Sequence, residues 1–494
     1  MAFNSLEYAI FLVVVFLVFW ALSRFGLARI LFLTIVSFVF YAASNPWFLL
    51  PLVVSTFVDY FVAMGLAPRD GVLTDEEKQR TAKRRKTLLV LSLISNLGLL
   101  GYFKYTNFFF EAGVDIGNLF GADWVFTRLD ILLPAGISFY TFQTLSYTID
   151  VYRGVLPVER NFLRFAFFVG FFPQLVAGPI VRAADFLPQI HKRPFLTRQQ
   201  ASRALWLIGI GILKKIAVAD ILGVDIVEKV FSDPSRVSSW DVIIGLYAYT
   251  MQIYMDFSAY SDIAIGSAML FGYHLPDNFD RPYSAVSIQD FWRRWHKTLG
   301  SWLRDYLYYP LGGARGSDMR VYFNLFITFV IIGFWHGANI NFLLYGVGHG
   351  LAMCVNRWWR KRREKAGKKD ENLSAWGLIW RVFLTLQFVV FMRVLFRSAD
   401  PHYTSAEALA KAGDVTGRIF DGAFSDVTVL TPGLAVLLIG SYVVHWTPRH
   451  WVESTWHGFR RLPFVLQGAI VAAAIMIAGK LISGRPLPFE YFQF

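Results

Sequence analysis

Residues 1–26 read MAFNSLEYAIFLVVVFLVFWALSRFG. No charged side chain interrupts the run from Tyr8 to Leu22. A transmembrane helix needs roughly 20 mostly apolar residues, and with its flanks this stretch supplies them. It has no basic leading region and no small-residue cleavage site, so it reads as a retained first span rather than a removable signal peptide. The pattern recurs along the chain. Further apolar runs start near Ile30, Trp47, Thr87, Ile131, Phe162, Ala204, Val242, Tyr322, Asn341, Trp376, Thr431 and Pro463. No repeat of fixed period links them, and the second half does not mirror the first as it does in many transporters.

The composition of the 494 residues agrees with that reading. Hydrophobic residues make up 55% and charged residues 17%, against about 45–50% and about 25% in soluble domains. Mean hydropathy is +0.44. A disordered protein, a coiled coil and an ordinary soluble enzyme are excluded. The expected fold is an all-α polytopic membrane protein with roughly 11–12 transmembrane helices, plus re-entrant and interfacial helices. We read 1–494 as a single domain, with core motifs at 173–350 and a C-terminal span and aromatic tail at 463–494. The 48 Phe and 16 Trp residues suit membrane interfaces.

The net charge of +13 falls in short clusters between apolar runs. It therefore points to cytoplasmic loops and anionic lipid, not to nucleic acid. The strongest clusters, Lys78 to Lys86 and Arg357 to Lys369, are expected in the cytoplasm, which puts the N-terminus outside. The basic segment Arg182 to Arg203 stays inside only if Phe162 to Ile180, broken by Pro173, Gly178 and Pro179, dips into the membrane and returns. The C-terminus then falls outside after a last span near Pro463 to Leu481. Residues 274–316 are crowded with Trp, Tyr and Arg. Leu299, Trp302, Leu303 and Tyr306 recur there at helical spacing, as in helices lying at the cytoplasmic surface or dipping in from it.

A single cysteine, Cys354, excludes an internal disulfide and a CxxC redox site, and its apolar setting favours a packed thiol. No zinc pattern, phosphate loop, dinucleotide fingerprint or GxSxG elbow appears, so no metal is expected. Of the nine histidines, His191, His402, His445, His450 and His457 fall in polar loops or at span ends and read as solvated or interfacial, as does His274. His336 differs. It ends an apolar run between Gly333 and Gly337. An ionisable residue at membrane depth is a functional candidate by default, neutral imidazole is able to take a proton from a hydroxyl, and the glycines admit a second backbone or a substrate. Its alternative is a packing histidine with both nitrogens bonded. His296, in FWRRWHKTLG with Arg293, Arg294 and Lys297, reads either as part of a site for the phosphates of a nucleotide-like donor or a carrier's phosphopantetheine arm, or as an interfacial belt. In YMDFSAYSDIAIG (254–266), Asp256 and Asp262 read as a proton relay, as groups that orient a histidine, or as a structural network binding this helix to Arg or backbone donors, and the network is preferred. Asp59 and Asp150 read as structural.

Taken together, DFSAYSDIAIGSAMLFGYHLPDNFDRPY, FWRRWHKTLGSWLRDYLYYPLGG, GFWHGAN, PQLVAGPIVR and the ending PFEYFQF resemble the membrane-bound O-acyltransferase superfamily over nearly the whole chain. Within it they are most like the branch holding the alginate O-acetyltransferase membrane subunit and the teichoic-acid D-alanyl transfer subunit. The resemblance implies catalytic roles for His336 and His296, and a helical funnel with a central passage. Arg293, Arg294, Asn339 and Tyr491 are expected to bind substrate, and Asp256 and Asp262 to be structural or orienting.

The expected activity is transfer of an acetyl group from a cytoplasmic acyl thioester, with acetyl-CoA the leading donor and no bound cofactor. The group crosses the bacterial inner membrane for O-acetylation of an exopolysaccharide, alginate-like or cellulose. The expected partners are a periplasmic polysaccharide acetyltransferase subunit, an acyl donor or acyl carrier in the cytoplasm, and the lipid bilayer. The alternatives are D-alanyl transfer to teichoic acid and, in another class, a transporter or flippase. Pro486 and Pro488 end the last helix, and the aromatic tail is expected to fold back into the outer mouth. There Tyr491 either carries the acyl group or acts as a plug, and the plug is preferred.

Overall fold

The computed structural model describes residues 3, 5–67, 74–176, 178–367, 374–400, 403–422, 424–481 and 489. Every regular element among them is helical. Among the described residues, four helices are long and apolar enough to cross a membrane: Pro46–Leu66, Asp75–Leu119, Asp318–His336 and Ala375–Ser398. Arg449–Arg461 and Phe464–Ile477, bent by 119°, make a fifth if taken as one span. Leu6–Ala21, Gly26–Ala42 and Pro432–Trp446 are shorter apolar helices. The protein is thus an all-α membrane protein.

Other apolar runs are interrupted. Phe162–Gly170 and Phe172–Leu175 are short helices parted at Phe171. Nine residues rise only ~14 Å, well short of the ~30 Å hydrocarbon layer. Ser239–Leu270 is long but includes Asp241, Asp256 and Asp262.

The chain divides into two compact units. One comprises Met1–Ile208 and Tyr260–Pro276. Its polar centre is Asp59, which accepts hydrogen bonds from the Ser92 hydroxyl, from Asn96 Nδ2 at 2.8 Å and from Thr148 Oγ1 at 3.0 Å. These join the helices Leu49–Leu66, Asp75–Leu100 and Ile137–Tyr152. A buried carboxylate is tolerated only with such partners, so Asp59 acts as a three-way helix tie.

The other unit comprises Gly209–Ala259 and Asp277–Phe494. Its centre is the antiparallel pair Asp318–His336 and Ile340–Lys365. A Cβ on Gly333 would lie 2.3 Å from the Phe342 carbonyl oxygen and 2.7 Å from the Gly346 Cα. These glycines admit the neighbouring helix backbone, as small residues do in membrane helix pairs. In the same unit, Lys215 is 2% exposed and its Nζ lies 2.8 Å from Asp220 Oδ1 and from Asp256 Oδ1. Residues five apart on an α-helix point ~140° away from each other. The π-turn Lys214–Asp220 brings Lys215 and Asp220 onto one face.

Candidate active site

His336 is the last residue of the Asp318–His336 helix and is 4% exposed. Gly337 leaves the helix in extended backbone, and a Cβ there would strike the Phe342 ring at 2.2 Å. The side-chain oxygen of Asn339 then accepts from the Asn341 N–H at 3.0 Å and starts the next helix. The chain therefore reverses in three residues and packs His336 among the rings of Trp335, Tyr345 and Phe396, at 5.0, 6.2 and 5.2 Å. Asn339 is buried and its side chain caps a helix.

His296 sits between the short helices Ile288–Arg294 and Lys297–Leu303. Its φ of 45° is left-handed, which is costly for a residue with a Cβ and survives only where neighbours over-determine it. Asn278 supplies that constraint. Its carbonyl accepts from the Lys297 N–H at 2.8 Å, and its side-chain oxygen accepts from Thr298 Oγ1 at 2.7 Å. Nearby, the Asp280 N–H donates to the Arg294 carbonyl at 2.9 Å. The Asp280 carboxyl is held below its ordinary pKa: burial alone would raise it, but the hydrogen bond and charge of Arg449 prevail. Leu299, Trp302 and Leu303 are buried, as their spacing predicts for an inward face.

Both histidines pack near one indole. The Trp335 ring lies 5.0 Å from His336 and 6.0 Å from His296. Arg393, 1% exposed, joins the same neighbourhood, with its guanidinium 5.0 Å from the Trp295 ring and 5.4 Å from the Phe396 ring. Phe257 packs against His296 at 4.8 Å and against Phe489 at 5.6 Å. The tail residue Phe489 is therefore buried against the same ring that packs on His296. Tyr491 lies outside the described residues.

Arg293 and Arg294 open onto a cavity of about 710 Å³ that also takes Arg360, Arg363 and Arg381. One acid, Asp290, lines it and pairs with Arg294 at 2.9 Å. A second carboxylate, Glu364, lies 3.4 Å from Arg360 Nε, so arginines still outnumber the acids at the cavity, which suits a ligand with several phosphate charges. Asp256 is bound to Lys215, and Asp262 is half-buried in the other unit. Among the described residues no group of three or more His, Cys, Asp or Glu is placed to hold a metal.

His445 departs from expectation. It is 4% exposed, and its Nε2 accepts from the Tyr283 N–H at 3.1 Å, because the end of Pro432–Trp446 packs onto the Pro282–Ser284 turn. It is a core histidine, not a solvated one. His402 lies outside the described residues. Sequence reasoning missed Arg393 and His349. Each is an ionisable side chain inside an apolar run, and that was the available signal.

The sequence pattern of the membrane-bound O-acyltransferase family matches residues 33–395, and the protein belongs to that family. The chain is 40% identical over 361 residues to the probable alginate O-acetylase AlgI of Pseudomonas aeruginosa, covering 72% of this chain and 66% of that one. The match thus spans just under two thirds of that relative's own length. It is 36% identical over 397 residues to the peptidoglycan O-acetyltransferase of Helicobacter pylori, covering 75% and 72%. It is 26% identical over 283 residues to the teichoic acid D-alanyltransferase of Bacillus subtilis, covering 54% and 69%.

Proposed function

We propose that the protein moves an acetyl group from an acyl thioester, acetyl-CoA or an acylated carrier, across the bacterial inner membrane for O-acetylation of an exopolysaccharide. A periplasmic acetyltransferase subunit completes the transfer. One observation carries this reading. His336 and His296 are both buried, each with its ring within 6.0 Å of the Trp335 ring, in the unit that also holds the five-arginine cavity. In this reading His336 is the general base that takes the proton of the acceptor hydroxyl as it attacks the thioester carbonyl and the donor leaves as its thiol, His296 is the second catalytic histidine, and Arg293 and Arg294 hold the donor's phosphates. The buried, aromatic-walled surroundings of His336 keep water from the thioester, which needs mainly positioning and a base.

Alginate is the favoured polymer because the alginate O-acetylase of P. aeruginosa is 40% identical, against 26% for the teichoic acid D-alanyltransferase of B. subtilis. The test supplies labelled acetyl-CoA to membrane vesicles and follows label into acid-stable polymer ester. Acetate loss from the polymer of a deletion strain supports the assignment. Loss of D-alanine with acetate retained rejects it, and movement of an intact solute without acyl transfer would make the protein a transporter.

A further inference from the structure

His349 lies in the middle of the Ile340–Lys365 helix and is completely buried. Its Nδ1 is 3.2 Å from Trp292 Nε1. An indole N–H only donates, so Nδ1 is the acceptor, and this bond assigns the proton to Nε2. No hydrogen-bond partner reaches that Nε2–H among the described residues. Leaving a buried donor unsatisfied is destabilising, and a buried orphan in a native core calls for an explanation.

Its position supplies one. Tyr345, His349, Ala352, Asn356, Trp359 and Arg363 recur every three or four residues and share one face of the helix. The last four line the arginine cavity. The first, Tyr345, packs on His336 at 6.2 Å. His349 bridges the two groups. Its ring is 4.4 Å from Tyr345 and 5.1 Å from Phe388, which is itself a cavity wall. From Asn356 to Tyr345 the helix rises ~16 Å. A stripe of that length, basic at one end and meeting a candidate base at the other, suits a long, flexible, amide-bearing arm.

We propose that His349 is a donor-binding residue, whose Nε2–H donates to an amide carbonyl of a pantetheine arm lying along this stripe. The assignment rests on the reading of the arginine cavity as the donor site. His349 stands one turn beyond the ring that touches His336. It therefore meets an amide of the arm rather than the reacting thioester carbonyl.

Replacing His349 alone would orphan the Trp292 N–H, so the test removes both partners. Full-length Trp292→Phe and Trp292→Phe/His349→Phe proteins are purified in detergent beside wild type. Each is titrated with acetyl-CoA, with an acyl carrier bearing acetylated phosphopantetheine, and with adenosine 3′,5′-diphosphate, which lacks the arm. Relative to Trp292→Phe, the double variant should bind an arm-bearing ligand about ten-fold more weakly. It should keep its affinity for the armless nucleotide and should not lose thermal stability. Whichever arm-bearing ligand shows the loss is the donor source. An equal loss for armed and armless ligands, or no loss for either armed one, overturns the role of His349. If wild type binds neither armed ligand, the donor-site reading falls and this proposal falls with it.

Discussion

Gly333 and Gly346 meet backbone to backbone: a Cβ on Gly346 would lie 3.1 Å from the Gly333 Cα and 2.6 Å from the Phe329 carbonyl oxygen. His336 follows one turn after this crossing, so the crossing sets where its ring stands. Gly346→Ala should therefore cost about 1–3 kcal/mol through overpacking and lower the thermal midpoint and the acetylation rate together. Gly413→Ala, in the Ser405–Phe420 helix with nothing within 4 Å of the added methyl, should be neutral or stabilise by up to about 1 kcal/mol. Equal midpoints for the two variants would count against the crossing.

His336→Ala should abolish detectable acyl transfer, with a loss of about 10²–10⁴-fold, while the protein still inserts and elutes as a folded species. The readout is label transferred per unit of purified protein. Near wild-type transfer would remove His336 from the reaction.

The arginine cavity predicts a separable effect. Arg294→Ala and Arg360→Ala should raise the donor concentration at half-saturation several-fold, with less change in maximal rate, and the donor affinity of wild type should fall with added salt. Arg294 is held by Asp290, and Arg360 Nη1 donates to Gln289 Oε1 at 2.8 Å. Each variant therefore also releases a neighbouring polar group, and charge-conserving Arg→Lys versions should recover part of the loss. Unchanged donor dependence in all four variants would move the donor elsewhere.

The tail prediction turns on Phe489, buried against Phe257 beside His296. Deleting 489–494 should reduce acetylation, while Tyr491→Phe, which keeps the ring and removes the hydroxyl, should retain it. Loss of acetylation in Tyr491→Phe would instead make that hydroxyl an acyl carrier.

The sequence made the helical membrane character legible, because apolar runs and basic clusters are local properties. It also singled out His336 and His296, since an imidazole among glycines in one case and among arginines in the other stands out in a linear reading. Other parts depended on contacts between distant residues. Asp256 was readable as a buried acid, but its partner Lys215 lies 2.8 Å away only after folding. His445 sat at the end of a run and reads as interfacial until the Tyr283 N–H is found against it. His349 was hidden by its apolar neighbours, although the stripe from Tyr345 to Arg363 was present in the spacing.

The Lys215 tie has a consequence for biogenesis. A lysine entering hydrocarbon alone faces a penalty of roughly 2.5–3.5 kcal/mol at a span centre on insertion scales. Asp220 is only five residues on, and the π-turn sets both groups on one side. The lysine is thus neutralised by its own near neighbour before the later helix that carries Asp256 packs against it. When Asp256 follows, it brings a second carboxylate to an existing ion pair and latches the later helix onto the earlier one. Lys215→Met should then leave two carboxylates facing each other, and the defect should appear as failed maturation of the nascent chain rather than as a slower enzyme.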